Sequence, residues 1–391
     1  MAAGEAASPG RGVGRAAAAA AALLLLLLGA LRLAALRPEP PPRAGRPATR
    51  GPAARWGGPL VPAPLVSRGK PVFSSPPGGA VLVDGIYRAG TWDGGFPTPG
   101  RPAWAAIRIG AGYTRLLVSW TSSHNHDWDE RFYGAPADYR IETSADSTDG
   151  ADGRWRVAAS VEDNPVRTRA HAIDFAGQRW VRLSVTRLPA KVNPWGLHLD
   201  EIDVHDLSGG GDDVWVFLGD SITAGVLDRA PNHQPSFAEI VARRHPGYFP
   251  AMIEAGKGAM HASEAVAFTD RVLELVPDAR VIAIGIGSND WDPEAYRRDL
   301  SAIVSKVRAA GKIPVVARIP YRSDSGAVDF QARLGAVVDD LTRELDLVPG
   351  PDLYRWFKAH PERLTDHLHM DDRGSVELME LWAEAADPLY P

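Results

Sequence analysis

Residues 214–223 read VWVFLGDSIT, and the order of residue types within that run decides the fold class. Val214 to Leu218 are apolar without polar alternation, the composition of a short strand covered on both faces. Gly219 and Asp220 end it with turn chemistry, and Ser221 follows at once, so a hydroxyl stands at the strand's carboxyl end. Thr223 occupies the place of the second glycine in a G-x-S-x-G elbow, which sets this turn apart from the α/β-hydrolase kind. A serine in a tight turn is by itself ordinary structural chemistry. A catalytic role depends on what else the chain brings to the same edge.

Downstream, strands alternate with amphipathic helices. Ser236 and Glu239 form a capping box that opens a helix continuing through Ile240. Met252 to Ala255 and Val281 to Ile286 read as two more buried strands. Asp292 as N-cap, Pro293 at the first helical position and Gly311 just past the end bracket a helix with Leu300, Ile303, Val304 and Val307 on one face. Ile313 to Ile319 is a fourth strand. Leu334, Val337, Val338, Leu341 and Leu345 stripe another helix, and Leu347 with Val348 gives a last short strand. Such βα repeats imply an α/β fold, a three-layer parallel sheet with helices on both faces, in which ligands sit outside the carboxyl ends of the strands.

Upstream the period changes to two. Ala105, Ile107 and Ile109; Leu116, Val118 and Trp120; Tyr139, Ile141 and Thr143; Val181, Leu183 and Val185; and Ile202 with Val204 alternate between turns rich in Gly, Pro, Asp and Asn. Residues 71–207 therefore read as an all-β sandwich. The glycine-rich joint Ser208 to Gly211 separates it from the α/β unit, residues 212–391. Residues 38–70, dense in Pro, Arg, Ala and Gly, read as a linker unable to bury enough surface to offset chain entropy.

Residues 1–37 carry Arg11 and Arg15 ahead of an apolar run from Ala16 to Leu31, then Arg32 and Leu33 to Leu36. This reads as a signal peptide or a membrane anchor, against the plainer alternative of an Ala/Leu tail on a cytosolic protein, and the expectation is an extracytoplasmic protein, secreted or held by that segment. Arg37, Arg43, Arg46, Arg50 and Arg55 just after it are a flank of the kind that tends to stay in the cytoplasm. The chain's 43 Lys and Arg against 48 Asp and Glu give a formal net charge of -5, without the basic excess that nucleic-acid binding requires. Having no cysteine, it forms no disulfide and no cysteine-ligated zinc site.

Two further blocks give Ser221 company. Gly287, Ser288, Asn289 and Asp290 follow the third strand at the carboxyl edge, where an Asn amide either donates to an oxyanion or closes an Asx-turn. Asp366, His367, Leu368 and His369 supply a carboxylate and an imidazole three residues apart. A carboxylate that holds one ring nitrogen fixes the tautomer, so that the other can take a serine proton. The same cluster could bind a metal, although no further ligands gather near it in sequence.

With these blocks in order, residues Asp213 to Ala385 resemble the SGNH (GDSL-type) hydrolases, whose sheet is flavodoxin-like. The resemblance implies Ser221 as nucleophile, Asp366 and His369 as its triad partners with His367 the lesser candidate, and an oxyanion hole from the Ser221 N–H, the Asn289 side chain and a backbone N–H in the second block. That block runs Glu254, Ala255, Gly256, Lys257, Gly258, Ala259. Usual spacing puts Ala259 at the glycine position, a one-residue shift makes Gly258 the donor, and Glu254 stands where the family often has Asn. Gly258 is the expected donor, and Ala259 can serve only where the dihedrals do not demand a positive φ. Trp291, Arg318, Tyr321 and Arg322 flank these blocks as candidate substrate contacts.

The upstream strands, from Asp84 and Gly85 through Trp104 to Gly110, Leu116 to Trp120, Tyr139 to Ser144, Trp155 and Trp180 to Val185 to Leu199–Val204, resemble discoidin or galactose-binding-like sandwiches. That resemblance implies a structural calcium between Asp84 and Glu201, since oxygen ligands suit the ion. A polar loop, His124 to Asp129, lies at one end, where such folds bind ligands and where solvated loops are also ordinary.

The expectation is a serine esterase acting without a catalytic cofactor on short acyl groups, acetyl foremost, of a carbohydrate or small ester. Its alternatives are a glycan O-acyltransferase and a glycan-binding protein with an inactive hydrolase domain.

Overall fold

The computed structural model describes residues 56–87, 92–122, 127–129, 134–190, 196–225, 235–323 and 328–391. The N-terminal signal or anchor, the linker up to residue 55, and His124 to His126 lie outside the described residues.

Among the described residues, ten strands precede the joint: β1 (Val72–Ser75), β2 (Trp92–Gly95), β3 (Ala103–Arg108), β4 (Arg115–Thr121), β5 (Asp138–Ser144), β6 (Arg156–Val161), β7 (Thr168–Asp174), β8 (Trp180–Arg187), β9 (Leu197–Leu199) and β10 (Glu201–Asp206). They form a five-stranded sheet, β1-β3-β8-β5-β6, a three-stranded sheet, β10-β4-β7, and the pair β2-β9. All the pairings are antiparallel. The period-two residues set the register, with Ala105 opposite Leu183 and Val204 opposite Val118. Ala105, Ile107, Tyr139, Ile141 and Leu183 of the larger sheet share one core with Leu116, Val118, Trp120, Ile202 and Val204 of the smaller.

The smaller sheet is covered on its other side as well. Leu117 of β4, Ala170 of β7 and Leu207 join Val214, Val216, Leu218 and Phe268 in a second core that belongs to the parallel part. Continuous burial from Leu116 to Thr121 follows from this double cover. The glycine-rich joint is a fixed turn, since Leu207 N–H donates to Arg115 O (3.0 Å) and Asp212 N–H to Val61 O (3.0 Å).

Residues 56–70 do not act as a linker. Leu60, Ala63 and Ser67 are buried; Leu60 N–H donates to Leu389 O (3.0 Å), Val66 N–H to Val204 O (2.7 Å), and Ser67 Oγ accepts from Val204 N–H (3.0 Å). The segment straps the two parts together. Its prolines, which lack an N–H, suit a chain that packs its few apolar side chains without entering a full ladder.

Beyond the joint, β11 (Val214–Gly219), β12 (Ala251–Gly256), β13 (Val281–Gly285), β14 (Ile313–Arg318) and β15 (Val348–Asp352) form one parallel sheet in the order β12-β11-β13-β14-β15. Helices α1 (Ser221–Ala224), α2 (Phe237–Arg244), α3 (Ala262–Leu275), α4 (Pro293–Ala309), α5 (Val328–Glu344), α6 (Leu353–Ala359) and α7 (Asp372–Ala386) surround it. Val216, Leu218, Ile253, Ile282 and Ile284 pack on α3, α4 and α5, whereas Trp215, Phe217, Met252, Ala283 and Val315 pack on α2, α6 and α7. These are the three layers expected of an α/β fold. The caps are as the sequence implies: Ser236 and Glu239 close a capping box, and Asp292 accepts from the Glu294 N–H (2.9 Å) ahead of Pro293. Among the described residues, no helix is long and apolar enough to cross a membrane.

Candidate active site

Ser221 opens α1 directly after β11, and the turn that presents it has no spare space. A Cβ at Gly219 would collide with the Gly285 carbonyl, and one at Gly256 with the Ala224 backbone, so the ends of three strands meet around the serine only because these positions are glycine. Asp220 caps α1 by accepting from the Ile222 N–H (3.1 Å), and its second oxygen accepts from the Ser288 N–H (3.1 Å). It thus ties the serine turn to the loop that carries Asn289. Burial pushes the Asp220 carboxyl up, and the Ile222 and Ser288 bonds pull it down only in part. Sequence reasoning gave Asp220 a place in a turn and missed this second bond.

Ser221 Oγ lies 2.8 Å from His369 Nε2, and His369 Nδ1 lies 2.7 Å from Asp366 Oδ2. The loop is closed by Thr365 N–H donating to His369 O (2.8 Å), while Asp366 Oδ1 accepts from the N–H groups of Leu368 (3.2 Å) and His369 (2.7 Å). Burial works against ionisation of Asp366, but the bonds from His369 and Leu368 outweigh it and hold the carboxyl at about 2. A permanently ionised acceptor at Nδ1 leaves Nε2 free to take a proton from Oγ. His367 is turned elsewhere: its φ is 75°, and its Nδ1 lies 3.0 Å from Ser323 Oγ.

Asn289 Nδ2 donates to Met260 O (3.1 Å). An amide NH₂ has two hydrogens, so this bond orients the group and leaves one N–H to spend. The Gly258 N–H is different. It donates to Asp127 Oδ1 at 2.6 Å, which removes Gly258 as the oxyanion donor expected from the sequence. Its neighbour Ala259 is exposed and has φ 57°, so, against the expectation from sequence, the alanine itself takes the left-handed conformation of a glycine position, at a cost of about 1–2 kcal/mol. No acceptor for the Ala259 N–H is found among the described residues.

A recess of about 150 Å³ opens beside Ser221, lined by Ile222, Gly225, His369, Met370, Leu378 and Met379. Trp291 is 46% exposed, with Phe330 edge-on at 5.6 Å and the Arg322 guanidinium 5.5 Å from its ring centre. Arg318 is engaged by carboxylates. Its guanidinium is paired with Asp352 (3.1 Å) and Asp339 (3.6 Å). Tyr321 packs edge-on against Tyr354, with 5.8 Å between ring centres, at the margin of the core.

The calcium pair does not fit its ion. Glu201 Oε2 accepts from the Gly85 N–H (3.0 Å) and Asp84 Oδ1 from the Ile86 N–H (2.8 Å). The Arg68 guanidinium lies against Gly85, where even a Cβ would collide with it. Burial, then Asp203, push the Glu201 carboxyl well above the usual carboxylate range. Burial alone would lower the Arg68 pKa, but Asp203, Tyr87, Glu201 and Glu239 raise it, so the cation facing these acids is an arginine. Among the described residues no group of three or more His, Cys, Asp or Glu could hold a metal.

Residues 217–375 match the GDSL-like Lipase/Acylhydrolase family. This part of the chain is a GDSL-type acylhydrolase domain, and the protein is a carboxylic ester hydrolase. Similar solved structures include a lipase/acylhydrolase from Enterococcus faecalis, 23% identical over 44% of this chain and 94% of that one, with a TM-score of 0.37. An acetyl xylan esterase from Geobacillus stearothermophilus is 15% identical over 44% of this chain and 93% of its own, with a TM-score of 0.38. A psychrotrophic esterase from Pseudoalteromonas sp. is 13% identical, covering 45% of this chain and 97% of its own, with a TM-score of 0.38. No curated protein shows significant similarity to the chain.

Proposed function

We propose that the protein is an extracytoplasmic serine esterase that removes short acyl groups, acetyl foremost, from carbohydrate. The observation that carries the catalytic part is the chain of contacts from Ser221 Oγ to His369 Nε2 (2.8 Å) and from His369 Nδ1 to Asp366 (2.7 Å). Ser221 Oγ attacks the ester carbonyl while its proton passes to His369 Nε2. The tetrahedral intermediate collapses as His369 returns that proton to the leaving alkoxide. Water then repeats the sequence on the acyl-enzyme, freeing the acid and regenerating the serine. Asp366 holds the ring and balances the imidazolium. The Ser221 N–H, the second Asn289 N–H and the Ala259 N–H receive the oxyanion.

Short acyl groups are favoured by the recess at Ser221, whose volume of about 150 Å³ is that of a cavity taking one benzene-sized group. Carbohydrate is favoured by Trp291, an exposed aromatic face beside the Asn289 block, and by the antiparallel sandwich, read as a galactose-binding-like module. The apolar run near the N terminus supports export. The test is a series of acyl esters from acetate to octanoate, followed by acetylated polysaccharides with and without acceptor sugar. kcat/KM should fall steeply with chain length, and free acetate should be released whether or not the acceptor is present. A long-chain preference, or acetyl transfer to the sugar in place of release, would overturn the reading.

A further inference from the structure

The oxyanion loop of the hydrolase is held from the antiparallel part of the chain. We infer that Asp127 is a positioning residue for this reaction, an inference resting on the esterase reading above. The loop Lys257 to His261 is tied to the serine turn by Lys257 N–H donating to Gly219 O (2.9 Å) and to Asn289 through Met260 O. Its other anchors come from residues 127–129. Asp127 Oδ1 accepts the Gly258 N–H, Trp128 N–H donates to Gly256 O (3.0 Å), and Asp129 pairs with Lys257 Nζ (3.4 Å).

Trp128 makes this a rigid clamp. It is fully buried, its ring lies edge-on to Phe268 of α3 with 5.4 Å between ring centres, and its Nε1–H donates to Thr168 O (3.0 Å). Thr168 Oγ1 in turn donates to Glu254 O at the end of β12 (2.7 Å). The clamp bears on the one strained position in the loop. A left-handed alanine costs about 1–2 kcal/mol, and such strain persists only where the surroundings hold it. Asp127 grips the peptide N–H one residue before Ala259 with a charge-assisted bond, the strong kind. The carboxylate therefore fixes the direction of the Ala259 N–H toward the oxyanion without itself touching substrate.

The full chain is compared with Asp127→Ala, Asp127→Asn, Ala259→Gly and the Asp127→Ala/Ala259→Gly double variant on p-nitrophenyl acetate, with thermal unfolding run in parallel. Removing an oxyanion donor costs about 10²–10³ in kcat, and loosening one should cost roughly 10- to 100-fold. Asp127→Ala should lose that much kcat with KM within about 2-fold of wild type. Asp127→Asn, which keeps an acceptor oxygen, should lose less, and Ala259→Gly should restore part of the loss because glycine adopts the left-handed conformation unaided. Wild-type kcat in Asp127→Ala, a change in KM alone, no rescue by glycine, or a loss explained by unfolded protein would each overturn the positioning role. Ser221→Ala keeps the two readings apart. If it abolishes acetate turnover while Asp127→Ala matches wild type, only the clamp fails; if it retains turnover, both fail.

Discussion

Asp366 grips His369 twice, accepting from its backbone N–H through Oδ1 (2.7 Å) and facing its ring Nδ1 with Oδ2 (2.7 Å). The three-residue spacing between them is what lets one carboxylate fix both the turn and the tautomer. Asp366→Asn should therefore damage catalysis more than stability. An amide can present an N–H to Nδ1 and select the wrong tautomer, a change that costs about 10⁴ in a buried triad. Here the pair is 42% and 58% exposed, so water competes and a loss of roughly 10²- to 10⁴-fold is expected. Steady-state kinetics on a small acetate ester, with unfolding followed by circular dichroism, would check it; a loss under 10-fold would contradict the role.

The two histidines of the same loop should separate cleanly. His369→Ala removes the only imidazole within hydrogen-bond reach of Ser221 among the described residues, and should match Ser221→Ala in activity lost. His367→Ala removes a ring that faces Ser323, and should leave kcat within a few-fold. Equal losses in both variants would mean that the loop, and not one ring, is required.

Asp213 should make stability fall as pH rises. It is fully buried just before β11, accepting from Trp215 Nε1 (2.9 Å) and Tyr390 Oη (3.1 Å), and burial pushes its carboxyl to about 7. An unfolded-state value near 3.8 lies below the native one, so the native form holds more protons between the two. The stabilisation is complete below about 3.8 and is lost as pH climbs through about 7. Asp213→Asn stays neutral, so its melting temperature should gain on wild type from pH 4 to pH 8, by the equivalent of about 1–4 kcal/mol, and the gap should then level off. A gap that does not vary with pH would show that the carboxyl ionises freely in the native state.

Calcium should not matter to the sandwich. With Arg68 facing Glu201 and Asp203, millimolar calcium and a chelator should give the same melting temperature within about 1 °C, whereas Arg68→Met should lower it, because it leaves buried acids without their cation. A calcium-dependent rise in the wild-type protein would contradict the assignment.

Much of this was legible in the sequence for local reasons. An uninterrupted apolar run before Gly219, a capping box at Ser236 and an Asp292-Pro293 helix start each follow from neighbours in the chain, and each stands where expected. The failures lie at contacts between distant segments. Residues 56–70 have a linker's composition, and only the pairing of Val66 with Val204 and of Leu60 with Leu389 shows why they are ordered. Gly258 is as plausible a donor as Ala259 until Asp127, 131 residues away, is found on its N–H. Arg68 carries no mark in sequence of standing where the resemblance implied an ion. Double cover of β4 by both cores likewise means that deleting the antiparallel part would expose Val214, Leu218 and Phe268, so that part is integral to the catalytic half.

The central claim is that Ser221 is the nucleophile, and covalent labelling tests it most directly. The protein is incubated with a p-nitrophenyl alkylphosphonate, and the modified peptide is located by mass spectrometry. One phosphonyl group should appear on Ser221 with simultaneous loss of esterase activity; labelling should be absent from Ser221→Ala and slow in His369→Ala. A label on another residue that tracks the loss of activity, or full turnover by protein carrying the label on Ser221, would contradict the account.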